Sequence, residues 1–132
     1  MDSYVKLQKL TEPTRPALAA TFDRVAEILG EVQRRPLQLQ FSLVDGGTEE
    51  PVAWTVAVDK DGGKAAQRLS KKPDVEIITR EETWWEIANG ELPPLEAFVS
   101  GRMRVRGNIG LAKRIFLIDL AAEPTELPEW LR

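Results

Sequence analysis

Residues 73–120 read PDVEIITREETWWEIANGELPPLEAFVSGRMRVRGNIGLAKRIFLIDL, and this stretch decides the order of elements in the fold. The apolar run at 75–79 predicts a strand, and the strict alternation at 102–106 predicts a second strand with one solvent-exposed face. Between the two strands the apolar spacing is helical, and another helical pattern follows Gly107-Asn108. The stretch therefore predicts strand, helix, helix, strand and helix, in that order.

The boundaries of the predicted helices come from their terminal residues. Thr79 and Glu82 form the T-x-x-E pattern of a capping box, so a helix is expected to start at Thr79. Asn89-Gly90 is expected to end this helix, because both residue types tolerate positive φ. Pro93-Pro94 suits the first turn of a second, short helix, where a missing N–H is not needed.

Upstream of this stretch, the patterns predict one helix and three more strands. Residues 18–29 carry apolar side chains on one helical face. The alternating segments 37–43 and 52–58 predict two strands, and Asp61-Gly62 predicts a hairpin turn into the third, residues 64–69. The predicted fold class is α+β: a five-stranded, mostly antiparallel sheet covered on one face by about four helices, with water on its polar face.

Composition limits both the organisation of the chain and its chemistry. At 132 residues it is expected to form one domain, with an N-terminal arm at 1–13 and a C-terminal tail at 121–132. It contains no His and no Cys, which excludes Ser-His-Asp and Cys-His nucleophiles and removes the usual zinc ligands. No catalytic residue, metal or cofactor is therefore expected. The formal net charge of −3 argues against a nucleic-acid partner.

The location of the chain is predicted from the absence of targeting signals. No apolar run approaches the ~20 residues of a membrane span, and the segment MDSYVKLQKL is too polar for a signal peptide. A cytoplasmic location is therefore expected.

The chain resembles the C-terminal half of the sterol carrier protein 2 family of lipid-binding domains. The resemblance rests on an ordered set of segments: PDV, an apolar strand, a helix, NGELPPLEAF and GRMRVRGNIGLAKRI. WTVAV followed by Asp61-Gly62 is similar to the central hairpin of that family, and the resemblance extends over residues 18–120. It implies an apolar tunnel between the sheet and the helices, and a carrier that is not an enzyme. Because the chain ends in Trp-Leu-Arg, with no peroxisomal S-K-L signal and no fused enzyme, a stand-alone, prokaryotic-type member is expected.

The resemblance also implies which residues line the tunnel. The predicted lipid-binding wall consists of Phe22, Phe41, Trp54, Val56, Ile77, Trp84, Ile87, Phe98, Met103, Val105, Ile115 and Phe116. Apolar ligand surface buried against such a wall stabilises the complex by roughly 25 cal/mol per Å². Arg104, Arg106 and Lys113 are candidates for binding an anionic headgroup or the phosphates of an acyl-CoA. The competing interpretation of these cations is an ordinary solvated face.

Trp84 and Trp85 are adjacent on a predicted helix and lie about 100° apart around its axis. At most one indole is therefore expected to point squarely into the core. The other is expected at a cavity rim, a dimer contact or a membrane-facing edge, where an amphipathic ring is favoured.

Three functions remain open at this point. The first is non-catalytic binding of a fatty acid, fatty acyl-CoA, sterol-like lipid or other apolar metabolite in an internal cavity, with transfer or presentation of that lipid. The alternative is a protein-interaction or accessory module with a filled core, and the third is a small hydrolase or isomerase subunit. The expected partners are a lipid or acyl-CoA and a transient membrane or enzyme contact, and the expected state is a monomer or weak homodimer. A tunnel wall and a tight core are both apolar, so the pattern does not separate them.

Overall fold

The structure is a computed structural model in which residues 15–32, 35–45 and 50–118 are described. These ranges contain helices α1 (Arg15–Val32), α2 (Glu81–Ala88), α3 (Pro94–Val99) and α4 (Ile109–Phe116). They also contain strands β1 (Leu37–Val44), β2 (Val52–Asp59), β3 (Gly62–Ala66), β4 (Val75–Arg80) and β5 (Met103–Gly107). The predicted arm at 1–13 and tail at 121–132 lie outside the described residues.

The five strands form one sheet in the order β3-β2-β1-β4-β5. Every neighbouring pair is antiparallel except β1 and β4, which run parallel. The predicted α+β class and the mostly antiparallel five-stranded sheet are therefore confirmed. Because β3 is an edge strand and β4 pairs with β1, the chain must cross the sheet between β3 and β4.

The crossing segment, residues 67–74, lies on the polar face of the sheet. The Thr55 hydroxyl donates to the Arg68 carbonyl at 2.8 Å, and the Ser70 amide donates to Gln40 Oε1 at 3.0 Å. Thr55 and Gln40 are only 1% and 6% exposed as a result. The expectation of water over the whole polar face is thus wrong for the β1–β2 half, because the crossover covers it.

Asp74 explains why the strand β4 follows the dipeptide Pro73-Asp74. The Asp74 amide donates to the Gln38 carbonyl at 2.8 Å, and Asp74 Oδ2 accepts from the Gln38 amide at the same distance. The Asp74 carbonyl accepts from the Asn108 amide at 2.9 Å. Gly107 stands beside this carbonyl at φ +98°, where a side chain would collide with it. One residue therefore joins β1, β4 and the end of β5.

The predicted capping box at α2 is wrong. Thr79 stays in β4, and its hydroxyl donates to the Arg102 carbonyl at 2.9 Å, which ties β4 to the start of β5. The helix begins at Glu81, with Arg80 in the cap position and no side-chain capping bond. The other two predicted boundaries hold, since Asn89 is the C-cap of α2 with Gly90 at positive φ, and Pro94 opens α3. Asn108 Oδ1 caps α4 by accepting from the Leu111 amide at 3.0 Å.

Helix α1 lies against β2 and β3, and glycine permits the close approach. A Cβ on Gly63 would overlap the Ala26 carbonyl oxygen of α1, and one on Gly30 would come within 3.0 Å of the Gly63 amide nitrogen. Gly63 is therefore a packing residue where the helix crosses the edge strand.

Candidate lipid-binding site

Four aromatic rings fill the space between the sheet and the helices α1 and α2. Phe22 is sandwiched between Trp54 at 5.0 Å and Trp84 at 4.7 Å, and both ring pairs are close to parallel. Phe41 meets Phe22 at 5.1 Å and Trp84 at 5.2 Å in tilted geometry. This aromatic cluster joins α1, β1, β2 and α2, and all four residues belong to the predicted wall.

The two indole N–H groups of the aromatic cluster differ in their hydrogen bonding. Trp84 Nε1 donates to Thr21 Oγ1 at 2.8 Å, and that hydroxyl donates onward to the Leu18 carbonyl at 2.6 Å. Trp54 is 5% exposed, and its buried Nε1 has no hydrogen-bond partner among the residues that the structure describes. Buried polar groups are nearly always satisfied, so this N–H marks a place where a polar atom fits.

Replacing Thr21 by valine is expected to lower the free energy of unfolding by about 1–3 kcal/mol, because the buried Trp84 N–H loses its acceptor without a change in side-chain volume. Urea unfolding followed by circular dichroism measures the change. Thr21→Ser is the control, since it keeps the hydroxyl and should be the more stable of the two variants. A valine variant as stable as the parent would show that the indole bond contributes nothing.

The rest of the predicted wall packs into the same apolar layer. Val56, Ile77, Ile87, Met103, Ile115 and Phe116 are buried, and Phe98 and Val105 are half-buried against them. Phe98 contacts Phe116 with ring centroids 5.6 Å apart, which fastens α3 to α4. The structure thus gathers all twelve wall residues into one layer. Whether a tunnel passes through that layer stays a prediction.

A surface groove of about 270 Å³ opens into this layer between α3 and the end of α4. Ile87 and Phe116 form part of its lining, so two residues of the predicted wall are also groove residues. Its other lining residues are Gly90, Leu92, Pro93, Pro94, Leu117 and Ile118. Sequence reasoning missed these six as site residues. The available signal was Leu92 in a loop next to two prolines, which is an apolar residue where a solvent-exposed turn would carry a polar one.

Trp85 does not lie at a rim or an exposed edge. It is 9% exposed, and its Nε1 donates to Glu81 Oε2 at 3.4 Å. The expectation that one of the two tryptophans would be peripheral is wrong, because the protein covers α2 on more than one side. Six of its eight residues are buried, with Glu82 and Glu86 facing outward.

The three candidate headgroup cations do not converge with the wall residues. Arg104 and Arg106 alternate with Met103 and Val105 on β5, so they lie on the sheet face opposite the helices. Arg106 Nη1 is 3.9 Å from Glu76 Oε1, and Lys113 is exposed on α4. Their role toward a headgroup stays a prediction.

The comparisons with known proteins agree with this geometry. The model of the SCP-2 sterol transfer family matches residues 21–116, well over half of the chain. The chain is 30% identical over 122 residues to the peroxisomal multifunctional enzyme type 2 of Mus musculus, covering 88% of this chain and 16% of that protein. It is 32% identical over 117 residues to the hydroxysteroid dehydrogenase-like protein 2 of Mus musculus, covering 85% and 23%. The chain therefore spans less than a quarter of either relative.

Among solved structures, the palmitated SCP2L2 of Aedes aegypti has a TM-score of 0.64 and 18% sequence identity to this chain. The alignment covers 80% of this chain and 96% of that one. At this identity the likeness establishes the fold. Within the described ranges, no helix is both long and apolar enough to cross a bilayer.

Proposed function

Because the chain belongs to the SCP-2 sterol transfer family, we propose that it binds a lipid between its sheet and its helices and transfers or presents that lipid. In this proposal the chain contributes binding and no catalysis, consistent with a sequence that lacks His and Cys. The ligand classes are fatty acids, fatty acyl-CoAs, sterol-like lipids and other apolar metabolites. Removal of their apolar surface from water drives association.

The observation that carries the proposal is the groove between α3 and α4, since it connects the surface to the apolar layer. Ile87 and Phe116 belong to both, so a shift of these side chains opens the layer to a ligand in the groove. Its volume of about 270 Å³ lies just below the roughly 300–1,000 Å³ typical of ligand pockets. A long-chain lipid must therefore displace side chains as it enters.

The Trp54 N–H favours an apolar layer that holds a ligand over one that is permanently filled by the protein's own side chains. In a filled core this group would stay buried without a partner among the described residues, which would destabilise the fold by about 1–3 kcal/mol. An oxygen atom of a ligand would accept the bond. This supports a lipid with an oxygen-bearing group, such as a fatty acid or a sterol-like alcohol, over a plain hydrocarbon.

Presentation to an enzyme is supported by the relatives, because those matched are much longer proteins of which this chain spans a small part. The palmitated state of the Aedes aegypti neighbour supports a long acyl chain as one ligand class. Leu117 is exposed at the edge of the groove, where a ligand can pass from the groove to a membrane or a partner enzyme.

The test is native mass spectrometry of the freshly purified protein with analysis of the released lipid, followed by a palmitate titration monitored by tryptophan fluorescence. We expect bound lipid, and a fluorescence change because Trp54 and Trp84 lie in the proposed site.

Leu117→Glu should weaken palmitate binding about tenfold, since it places a negative charge at the groove lip. Leu69→Glu is the matched control, because Leu69 is also exposed but lies on the crossing segment.

Two outcomes would contradict the proposal. A ligand-free mass combined with no fluorescence response to palmitate, oleoyl-CoA or cholesterol would favour the interaction-module hypothesis instead. Equal loss of binding in the two glutamate variants would place palmitate outside the groove.

A further inference from the structure

A second cavity, of about 530 Å³, lies at the end of β4 and the start of β5, where the sheet face opposite the helices meets the first turn of α2. We propose that this cleft binds a small organic anion, with a phosphate or carboxylate held by Arg104 and an apolar body against Val44 and Ile78. The inference is independent of the proposed function, because the cleft and the aromatic cluster lie on opposite faces of the sheet. The remaining lining residues are Thr79, Arg80, Glu82, Thr83, Gly101 and Arg102.

Strand register places the apolar floor beside the arginine. Ser42 pairs with Ile78, and Ile78 pairs with Arg104, so these three side chains form a row across β1, β4 and β5. The next row toward the cleft begins with Val44 beside Arg80. The crossing segment covers the polar face at β1 and β2, and the cleft lies on the β4–β5 side. Two aliphatic side chains therefore stand next to a guanidinium in a concave site.

The acidic residues near the cleft neutralise two of its three arginines. Arg80 lies 3.5 Å from both Asp45 and Glu82, and Arg102 pairs with Glu86. Across the described residues, Arg104 has no acidic partner. A guanidinium presents a planar pair of donors that matches a carboxylate or a phosphate. Arg104 is thus the cation that an incoming anion meets.

Arg106 has an acidic partner, whereas Arg104 has none among the described residues. It lies two residues along the same strand on the same face, but it points at Glu76, whose Oε2 also accepts from Ser42 Oγ at 3.0 Å and Gln40 Nε2 at 3.3 Å. Its charge is therefore locally compensated, and it does not line the cleft. The two arginines form a matched pair for an experiment, because either substitution removes one charge from one exposed side chain of β5.

The experiment is an isothermal titration of the full chain with 1-naphthyl phosphate, repeated with inorganic phosphate and followed in parallel by ¹H–¹⁵N NMR. Arg104→Gln should weaken binding of 1-naphthyl phosphate about tenfold or more, and Arg106→Gln less than about twofold. Inorganic phosphate should bind about tenfold more weakly than the naphthyl ester, because it leaves the Val44–Ile78 floor uncovered. The shifted amides should include Ile78, Thr83 and Gly101.

Several results would overturn the inference. These are the absence of binding at millimolar ligand, equal losses in the two glutamine variants, or amide shifts centred on Phe22 and Trp54. A further arm measures co-sedimentation with phosphatidylglycerol vesicles. Vesicle binding that depends on Arg104, without binding of the naphthyl ester, would assign the cleft to a lipid headgroup and overturn the small soluble anion.

Discussion

Replacing Phe22 by alanine is expected to lower the free energy of unfolding by about 3–5 kcal/mol, the range for removing a buried phenylalanine. Its ring lies between Trp54 and Trp84 and also contacts Phe41, so one truncation removes three ring contacts at once. The neighbouring rings are held by β1, β2 and α2, and cannot close the cavity without moving those elements. Urea unfolding at constant temperature measures the loss.

Phe98→Ala is the comparison for this prediction. Phe98 is half-buried and, within the described part of the chain, makes one ring contact, with Phe116. Its removal should therefore destabilise the protein by clearly less than the loss of Phe22. Equal losses in the two variants, or a loss below about 1 kcal/mol for Phe22→Ala, would show that the aromatic cluster is not a close-packed unit. A large loss for Phe22 alone would confirm that the cluster holds α1 and α2 to the sheet.

Replacing Gly63 by alanine is expected to lower the free energy of unfolding by about 1–3 kcal/mol or more, the range for overpacking a close contact. The new methyl group would overlap the Ala26 carbonyl oxygen, which is backbone of α1 and cannot rotate away. Helix α1 would have to lift from β3. Thermal unfolding followed by circular dichroism detects the destabilisation as a lower Tm.

Gly110→Ala provides the control for this prediction. A Cβ at Gly110 meets its nearest neighbour, Asn108 Oδ1, at 3.6 Å, which is ordinary contact. Because alanine is the better helix former, this variant should unfold at the same Tm or slightly higher. If Gly63→Ala behaved like Gly110→Ala, the close approach of α1 to the edge strand would be refuted.

Local patterns predicted much of the fold because they report interactions within a few residues. Alternation on β1, β2 and β5 identified the strands, the Asn108 and Pro94 signals located two helix starts, and Asp61-Gly62 located the hairpin. The prediction of a capping box at Thr79 was wrong because a residue distant in sequence binds its hydroxyl. Its hydroxyl bonds to the Arg102 carbonyl, 23 residues away, and no local pattern reports that competitor.

The candidate site was predicted in part. Ten of the twelve predicted wall residues are buried, and Phe98 and Val105 are half-buried, since burial follows from which side of a strand or helix a residue occupies. Their binding of a lipid stays a prediction. The contacts among the four rings of the aromatic cluster, the groove at Leu92 and Leu117, and the buried position of Trp85 were not predicted. Each depends on how separate elements meet, which the spacing within one element does not encode.

Side-chain periodicity and turn residues act locally, so the residues alone indicated the α+β class, the order of the strands and helices, the two faces of each strand and the family resemblance. Which residues share a surface depends on tertiary contacts between separate elements. The crossing segment covers the β1–β2 half of the polar face, and Arg104 faces an open cleft while Arg106 faces Glu76. Among the described residues, the Trp84 N–H has an acceptor and the Trp54 N–H has none. These differences arise from strand register and helix docking, which bring together residues that are far apart along the chain.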